Sequence, residues 1–168
     1  MNEINVKIFK LTDCQHSPAF AWNKLFKIAY EDNNDFFFQI GDDVELKTSG
    51  WTEAFIGKLN DNDGIGVVGP CDLVNYHQRI YNKKPYVIEN SFVSKKHYEI
   101  FGYFFYPTIK NWFCDTWITE IYRPFLTHMF VDKIVENKIR DNRYRIEHVH
   151  DLDGIIRRSI EEIKIFIQ

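Results

Sequence analysis

The stretch Asp35–Val44 reads DFFFQIGDDV, and it decides the fold. Phe36–Ile40 is a short, almost wholly apolar run between turn residues, which is typical of a central strand covered on both faces. The run ends in Gly41-Asp42-Asp43. Acidic residues that leave the carboxyl end of such a strand lie at the edge where open α/β sheets bind ligands. The stretch therefore predicts an α/β fold with a polar site directly after this strand.

The flanking segments extend the same pattern. A helix is predicted over about Ala19–Glu31, because a Ser-Pro pair precedes it and apolar residues recur within it at helical spacing. Trp51–Leu59 predicts a second helix, and Gly66–Gly69 predicts a second buried strand closed by a proline. Upstream, Asn5–Lys10 alternates and predicts a strand. Strands that alternate with helices favour a partly parallel sheet flanked by helices.

The second half of the chain is less regular. Strands are predicted at Val87–Ser94 and His128–Ile139. Helices are predicted at Lys95–Phe101, ending at Gly102, at Asn111–Tyr122, and at Asp151–Phe166, with Asp151 as its cap. The sequence of 168 residues contains no linker rich in Gly, Ser or Pro, and its length suits one domain. We therefore expect a single domain over residues 1–168.

Bulk composition argues against several classes of protein. The formal net charge is −3, with 21 basic and 24 acidic residues, so nothing indicates nucleic-acid binding. The 3 cysteines are widely spaced and odd in number, which disfavours a disulfide framework or a structural zinc site. No apolar run resembles a signal peptide or is long enough to span a membrane. The sequence is therefore expected to belong to a cytoplasmic protein.

The paired carboxylates of Asp42 and Asp43 indicate a metal site. Adjacent carboxylates repel each other unless water or a cation neutralises them. Mg²⁺ and Mn²⁺ prefer such oxygen ligands and usually bind through one or two carboxylates together with substrate phosphates. A polar turn that merely ends a strand is the other interpretation of these two residues.

The order of these segments resembles the glycosyltransferase family 2-like pattern. The resemblance begins at Ala21-Trp22-Asn23 and runs through Asp42-Asp43-Val44. It continues through Trp51 and Gly66-Val67-Val68-Gly69-Pro70, then Phe92-Val93-Ser94 and the helix that follows it, and reaches Asn111–Tyr122. It thus covers roughly residues 19–122. It implies a GT-A-like, Rossmann-like fold with a mixed, mostly parallel sheet. It also implies transfer of a sugar from a nucleotide-diphosphate donor to an acceptor hydroxyl of a glycan, a protein or a lipid-linked molecule.

The resemblance implies roles for the donor side, in residues 1–70. Asp42 and Asp43 would hold Mn²⁺ or Mg²⁺ and the donor diphosphate. Asn23 would support the acidic loop or contact the sugar nucleotide. Because a late histidine completes the metal site in many enzymes of this fold, His148 and His150 are further candidate ligands.

The acceptor side and the C-terminal helix would lie in residues 71–168. Asp115 would be the general base that deprotonates the acceptor hydroxyl, although a helix cap is the other interpretation of this residue. Trp112 and Trp117, from the same segment, are assigned to the acceptor side.

One departure from the family is large. Its members normally begin with a strand-helix-strand-helix unit that binds the base and ribose, whereas here the acidic motif already stands at position 42. The fold is therefore expected to be N-terminally truncated. A fragment of a longer enzyme, a compact protein completed by dimerisation and a degenerate transferase would each fit.

Two consequences follow from the truncation. An exposed edge at Asn5–Lys10 would favour a homodimer. The alternative to an enzyme is a catalytically inactive GT-A-like binding or assembly module. Gly-Asp-Asp also marks viral RNA polymerases, but those are far larger chains with several basic motifs.

Overall fold

The computed structural model describes residues 5–14, 16–138 and 147–168. The helices are α1 (Pro18–Glu31), α2 (Trp51–Asn60), α3 (Leu73–Tyr81), α4 (Lys95–Phe101), α5 (Cys114–Ile121) and α6 (Leu152–Ile167). The strands are β1 (Phe36–Phe38), β2 (Val44–Leu46), β3 (Val67–Asp72), β4 (Phe92–Ser94) and β5 (Thr127–Asn137). The α/β class predicted from the sequence is confirmed.

The sheet has five strands in the order β1-β4-β3-β5-β2. β3 and β5 run parallel, while β1–β4, β3–β4 and β2–β5 are antiparallel pairs. The sheet is thus mixed, and the expectation that it is mostly parallel is wrong for the described strands. The reason is topological, because β4 returns between β1 and β3 against the direction of both.

Helices cover both faces of this sheet. Side chains alternate between the faces along a strand, so Phe37 packs edge-on against Phe26 of α1 at a centroid distance of 4.6 Å. Its neighbours Phe36 and Phe38 point the other way, into a smaller cluster with Phe55 of α2. The larger cluster joins α1, α4, α5 and α6 on the face of Phe37. The apolar run at the start of the acidic stretch is therefore covered on both faces. However, β1 spans only Phe36–Phe38 and lies at one end of the sheet, so the prediction of a central strand over Phe36–Ile40 is wrong.

Several predicted boundaries differ from the structure. Asn5–Lys10 lies in no strand and is exposed, so the predicted edge strand is wrong. Of the predicted strand Val87–Ser94, only the last three residues pair as β4. Two elements had no prediction: β2, and α3, whose first turn is capped by the carboxylate of Asp72. β3 continues through Pro70 by means of an irregularity in its pairing with β5 between Pro70 and Cys71.

Helix ends were better predicted. α4 spans Lys95–Phe101 and ends at Gly102 in the left-handed conformation, as the sequence indicates. Asp151 caps α6 by accepting a hydrogen bond from the Gly154 backbone N–H. In the described ranges, no helix is both long enough and apolar enough to cross a membrane.

Candidate functional site

A cavity of about 270 Å³ lies where the start of α1, the end of β1 and the start of α5 meet. Segments from four distant parts of the sequence form its walls. Its lining combines aromatic rings with amide and carboxyl groups: Pro18, Ala19, Trp22, Gln39, Glu89, Phe105, Asn111, Trp112, Phe113, Cys114 and Asp115. Such a mixture offers apolar faces and several hydrogen-bonding groups to one small polar ligand.

Asp115 brings a carboxylate to this cavity from the first turn of α5. One of its oxygens accepts a hydrogen bond from the Thr116 backbone N–H at 2.8 Å. Burial raises the pKa of Asp115 above its ordinary value, although the Thr116 N–H and the positive charge of Arg79 oppose the shift. A carboxylate with a raised pKa is a stronger base than a solvated one. Asp115 thus lines the cavity from the first turn of α5. Phe113 occupies the N-cap position of this helix and no described side chain caps it, so the interpretation of Asp115 as a helix cap is wrong, whereas its role as a base stays a prediction.

Glu89 is a second carboxyl group in the same cavity, and the sequence analysis missed it. Burial is the main reason that the pKa of Glu89 is raised, and the negative charges of Asp115 and Asp72 add to the shift. The side-chain N–H of Asn75, on α3, donates to Glu89 at 2.8 Å and partly offsets it. The available signal was an acid inside the predicted strand Val87–Ser94, since a buried carboxylate is usually paired, protonated or functional.

The segment that carries Glu89 is held in place by its neighbours. The Ile88 backbone N–H donates to the hydroxyl of Thr119 at 2.8 Å, and the Ser91 hydroxyl donates to the Ile88 carbonyl at 3.1 Å. Gly69 of β3 leaves no room for a side chain on this side, because a Cβ there would lie 2.5 Å from the Asn90 carbonyl oxygen. Close backbone packing therefore positions the second carboxyl group.

The acidic motif forms a turn between β1 and β2. The Val44 backbone N–H donates to the Gly41 carbonyl at 3.4 Å, and the Lys138 N–H donates to the Asp43 carbonyl at 2.8 Å. Gln39, two residues before Gly41, is the part of this segment that lines the cavity. Carboxylates are the ligand type that Mg²⁺ and Mn²⁺ prefer, and the assignment of such a metal to Asp42 and Asp43 stays a prediction.

The candidate histidines lie beside a different cavity. His148 and His150 line a space of about 280 Å³ that shares Asn111 and Trp112 with the first cavity. Within the described residues, no three His, Cys, Asp or Glu side chains come close enough to hold one metal ion together. The structure therefore does not assemble Asp42, Asp43 and either histidine into a single metal site.

Two other candidates have structural roles. The side chain of Asn23 donates to the Phe105 carbonyl at 2.8 Å and accepts from the backbone N–H groups of Phe104 and Phe105 at 3.0 and 2.7 Å. It thus holds a cavity-lining loop, and none of these three hydrogen bonds involves the acidic turn. Trp117 is fully buried in the core, where its indole N–H donates to the Ser159 hydroxyl at 3.2 Å. Its assignment to the acceptor side is not supported, whereas Trp112 does line the cavity.

A neutral histidine fixes the same loop from the core side. His97 is fully buried, and its ring nitrogens lie 2.8 Å from the Tyr122 hydroxyl and 2.9 Å from the Phe104 carbonyl oxygen. A carbonyl can only accept, so Nε2 carries the proton and Nδ1 accepts from Tyr122. Burial lowers the pKa of His97 to about 4. The residue therefore belongs to the scaffold and carries no charge at neutral pH.

Comparison with known proteins adds no assignment to this geometry: no family model, curated protein or solved structure matches the chain.

Proposed function

We propose that this protein is a GT-A-like glycosyltransferase that moves a sugar from a nucleotide-diphosphate donor to an acceptor hydroxyl. The observation that carries the proposal is Asp115. It is a carboxylate of raised pKa in an aromatic-lined cavity, and it is the residue to which the resemblance to family 2-like enzymes assigns the general base. Gln39, in the wall of that cavity, belongs to the strand segment that leads to Asp42-Asp43.

The order of the elements supports the same family. β1 is followed by the acidic turn, and then come α2 and the buried strand β3. β4 runs directly into the short helix α4, and Asp115 lies in the first turn of α5. This succession agrees with the glycosyltransferase family 2-like pattern over the residues where the sequence resembles it.

The lining of the cavity suits a sugar hydroxyl as the attacking group. Sugar rings present apolar C–H faces, which pack against aromatic rings such as those of Trp22 and Trp112, while their hydroxyls need amide or carboxyl partners. Gln39, Asn111 and Glu89 supply such partners in the same lining.

In the proposed reaction, Asp115 accepts the proton of the acceptor hydroxyl. The acceptor oxygen forms a bond to the anomeric carbon, and the bond from that carbon to the diphosphate oxygen breaks. The electron pair leaves with the nucleoside diphosphate, and the configuration inverts. Asp42 and Asp43 would hold Mn²⁺ or Mg²⁺, which supplies positive charge to neutralise the departing diphosphate. Glu89 lies in the same cavity, where the negative charge of Asp115 adds to the rise in the pKa of Glu89.

Calorimetry with UDP- and GDP-sugars in the presence of Mn²⁺ tests donor binding. We expect binding that needs the metal, and Asp43→Ala should abolish it. Exposed Asp132→Ala, at a distance in the sequence from the acidic turn, serves as the matched control and should bind as the unmodified protein does. Undiminished affinity in Asp43→Ala would mean that the motif is only a turn.

Transfer to added sugar acceptors tests the base. Asp115→Asn should still bind the donor but lose at least about a hundredfold in transfer rate, because the amide cannot take a proton. For the unmodified protein, the rate should fall on acidification at a pH above the range of a solvated aspartate, since the pKa of Asp115 is raised. Donor binding without any transfer would instead support the alternative, a catalytically inactive binding module.

A further inference from the structure

The strand β1 lies at one end of the sheet, and no strand of the described residues pairs with its outer edge. Its inner edge pairs with β4: the Gln39 N–H donates to the Ser91 carbonyl at 2.9 Å, and the Lys95 N–H donates to the Asp35 carbonyl at 2.8 Å. Peptide groups alternate in direction along an antiparallel pair, so those of Asp35, Phe37 and Gln39 face β4. Those of Phe36 and Phe38 face outward. No hydrogen bond to them is formed by the described part of the chain.

An apolar groove runs beside this open edge. It has a volume of about 300 Å³ and lies between α1 and β1. Its lining is mostly aliphatic and aromatic: Trp22, Leu25, Phe26, Ala29, Asn34, Phe36, Phe37, Phe38, Gln39 and Phe104. An open edge offers main-chain hydrogen bonds, and a groove beside it offers burial for alternate side chains, so together they suit an added strand.

The segment Asn5–Lys10 has the properties that such a strand needs. It belongs to no strand of the sheet, and Val6 and Ile8 are 72% and 91% exposed. Alternation puts Val6 and Ile8 on one face and Phe9 on the other. A strand added to β1 would meet apolar surface on both faces, because α1 lies on one side of the sheet and α2 on the other.

Charge also matches the segment to this edge. Asn5–Lys10 contains two lysines and no acid, whereas the end of α1 carries Glu31 and the turn that leads into β1 carries Asp32 and Asp35. Within its own chain, the segment is held beside α1 by the ion pair of Lys7 with Asp32, and its apolar side chains remain exposed to solvent. The apolar side chains of the segment are thus accessible to a second molecule and are not packed against their own chain.

We propose that Asn5–Lys10 of a second copy of this chain adds as a strand to the open edge of β1. Because the relation is mutual under two-fold symmetry, each copy both donates a segment and accepts one. The resulting dimer has two equivalent strand additions. The edge that accepts a strand is therefore the outer edge of β1, whereas the sequence analysis expected the edge at Asn5–Lys10.

Light scattering coupled to size exclusion tests the dimer, using the full chain across the micromolar range. We expect a dimer that dissociates on dilution. Ile8→Asp should weaken the association at least about tenfold, because it puts a charge into the apolar groove. Phe125→Asp removes another large exposed side chain, at 87% exposure and outside both groove and segment, and should leave the dissociation constant unchanged.

Hydrogen exchange of the Phe36 and Phe38 amides identifies the edge. These two amides should be protected in the dimer and exchange freely in Ile8→Asp. A monomer throughout the concentration range would overturn the proposal, and so would a dimer that Ile8→Asp leaves intact. Protection of both amides in a monomer would also overturn it, because the strand would then come from the same chain.

Discussion

At the scale of single residues, burial shifts the pKa of three titratable groups and thereby affects the stability of the fold. Glu89 and Asp115 share a cavity in which burial raises the pKa of each. His97 lies in the core behind the loop that lines this cavity, and burial lowers its pKa. Burial favours the uncharged form in all three cases. The carboxyls cost stability at neutral pH, whereas the histidine costs stability only in acid.

Glu89→Gln should therefore stabilise the protein by about 1 kcal/mol at neutral pH. The glutamine oxygen can still accept from Asn75, but it carries no buried charge. Since the pKa of Glu89 is higher in the folded state than in the unfolded state, its penalty is present above the folded pKa and disappears as the pH falls. The increase in unfolding free energy should thus be smaller when urea unfolding is measured at mildly acidic pH. Exposed Glu53→Gln on α2 is the control and should change little at either pH; a destabilised Glu89→Gln would contradict the prediction.

His97 should make the fold sensitive to acid. Its pKa is 6.5 in the unfolded chain and about 4 in the fold. Its contribution is therefore fully present above pH 6.5 and is lost as the pH falls through the folded pKa, up to roughly 3 kcal/mol. His97→Gln should be less stable at neutral pH yet lose less on acidification, as measured by denaturant unfolding over a pH series. Exposed His148→Gln should keep the slope of the unmodified protein. An unchanged slope in His97→Gln would argue against a buried neutral imidazole.

At the scale of elements, β3 connects the sheet to the site. It pairs with both β4 and β5, and its residue Gly69 lies directly against the segment that carries Glu89. At the end of β3, the Asp72 carboxylate caps α3 by accepting from the Val74 and Asn75 N–H groups. α3 then supplies Asn75 to Glu89. β3 thus positions Glu89 through the close packing at Gly69, and it positions the hydrogen-bond donor Asn75 through the cap that Asp72 forms on α3.

Gly69→Ala should destabilise the protein by about 1–3 kcal/mol. The added methyl group would lie 2.5 Å from both the Asn90 carbonyl oxygen and a methyl carbon of Ile88, so backbone must shift. Gly57→Ala provides the matched control, because nothing lies within 4 Å of a Cβ there. Within helix α2, that change should stabilise by up to about 1 kcal/mol. Thermal unfolding of both variants measures the contrast, and equal shifts would mean that Gly69 is not sterically required.

At the scale of the whole molecule, the larger core and the cavity use neighbouring residues of one segment for different purposes. Trp117 joins α5 to α6 through Ser159, inside the core. Trp112, five residues earlier, borders both the carboxyl-lined cavity and the one beside the histidines. The segment Asn111–Tyr122 therefore passes from the cavity at Trp112 to the core at Trp117 within five residues.

Two tryptophan variants should separate these purposes. Trp117→Phe should cost about 1–3 kcal/mol in unfolding free energy, because it opens space and leaves the Ser159 hydroxyl without its donor, while the KM for acceptor should not change. Trp112→Ala should raise that KM about tenfold with a smaller loss of stability. The KM comparison rests on the proposed transfer activity. The opposite pattern would return Trp117 to the acceptor site.

The elements that depend on nearby residues can be predicted from the amino-acid sequence. Helical spacing and the Ser-Pro start predict α1, the Gly102 stop predicts the end of α4, and Asp151 predicts the start of α6; all three agree with the structure. The apolar run of β1 likewise predicts burial on both faces. These features depend on residues a few positions apart, so short-range periodicity and capping chemistry suffice to reveal them.

The directions of the strands and the set of residues that line the site depend on contacts between distant segments and are seen only in the folded chain. Pairing of β3 with β4 and β5 joins segments far apart in sequence, and no local pattern states which strands become neighbours. That pairing brings Glu89 to Asp115 and leaves Asn23 and Trp117 as supports. The motif at Asp42-Asp43 is visible in the sequence because its signal is composition at a strand end. The pair of Glu89 and Asp115 cannot be recognised in the sequence, because it depends on the proximity of two segments that are far apart along the chain.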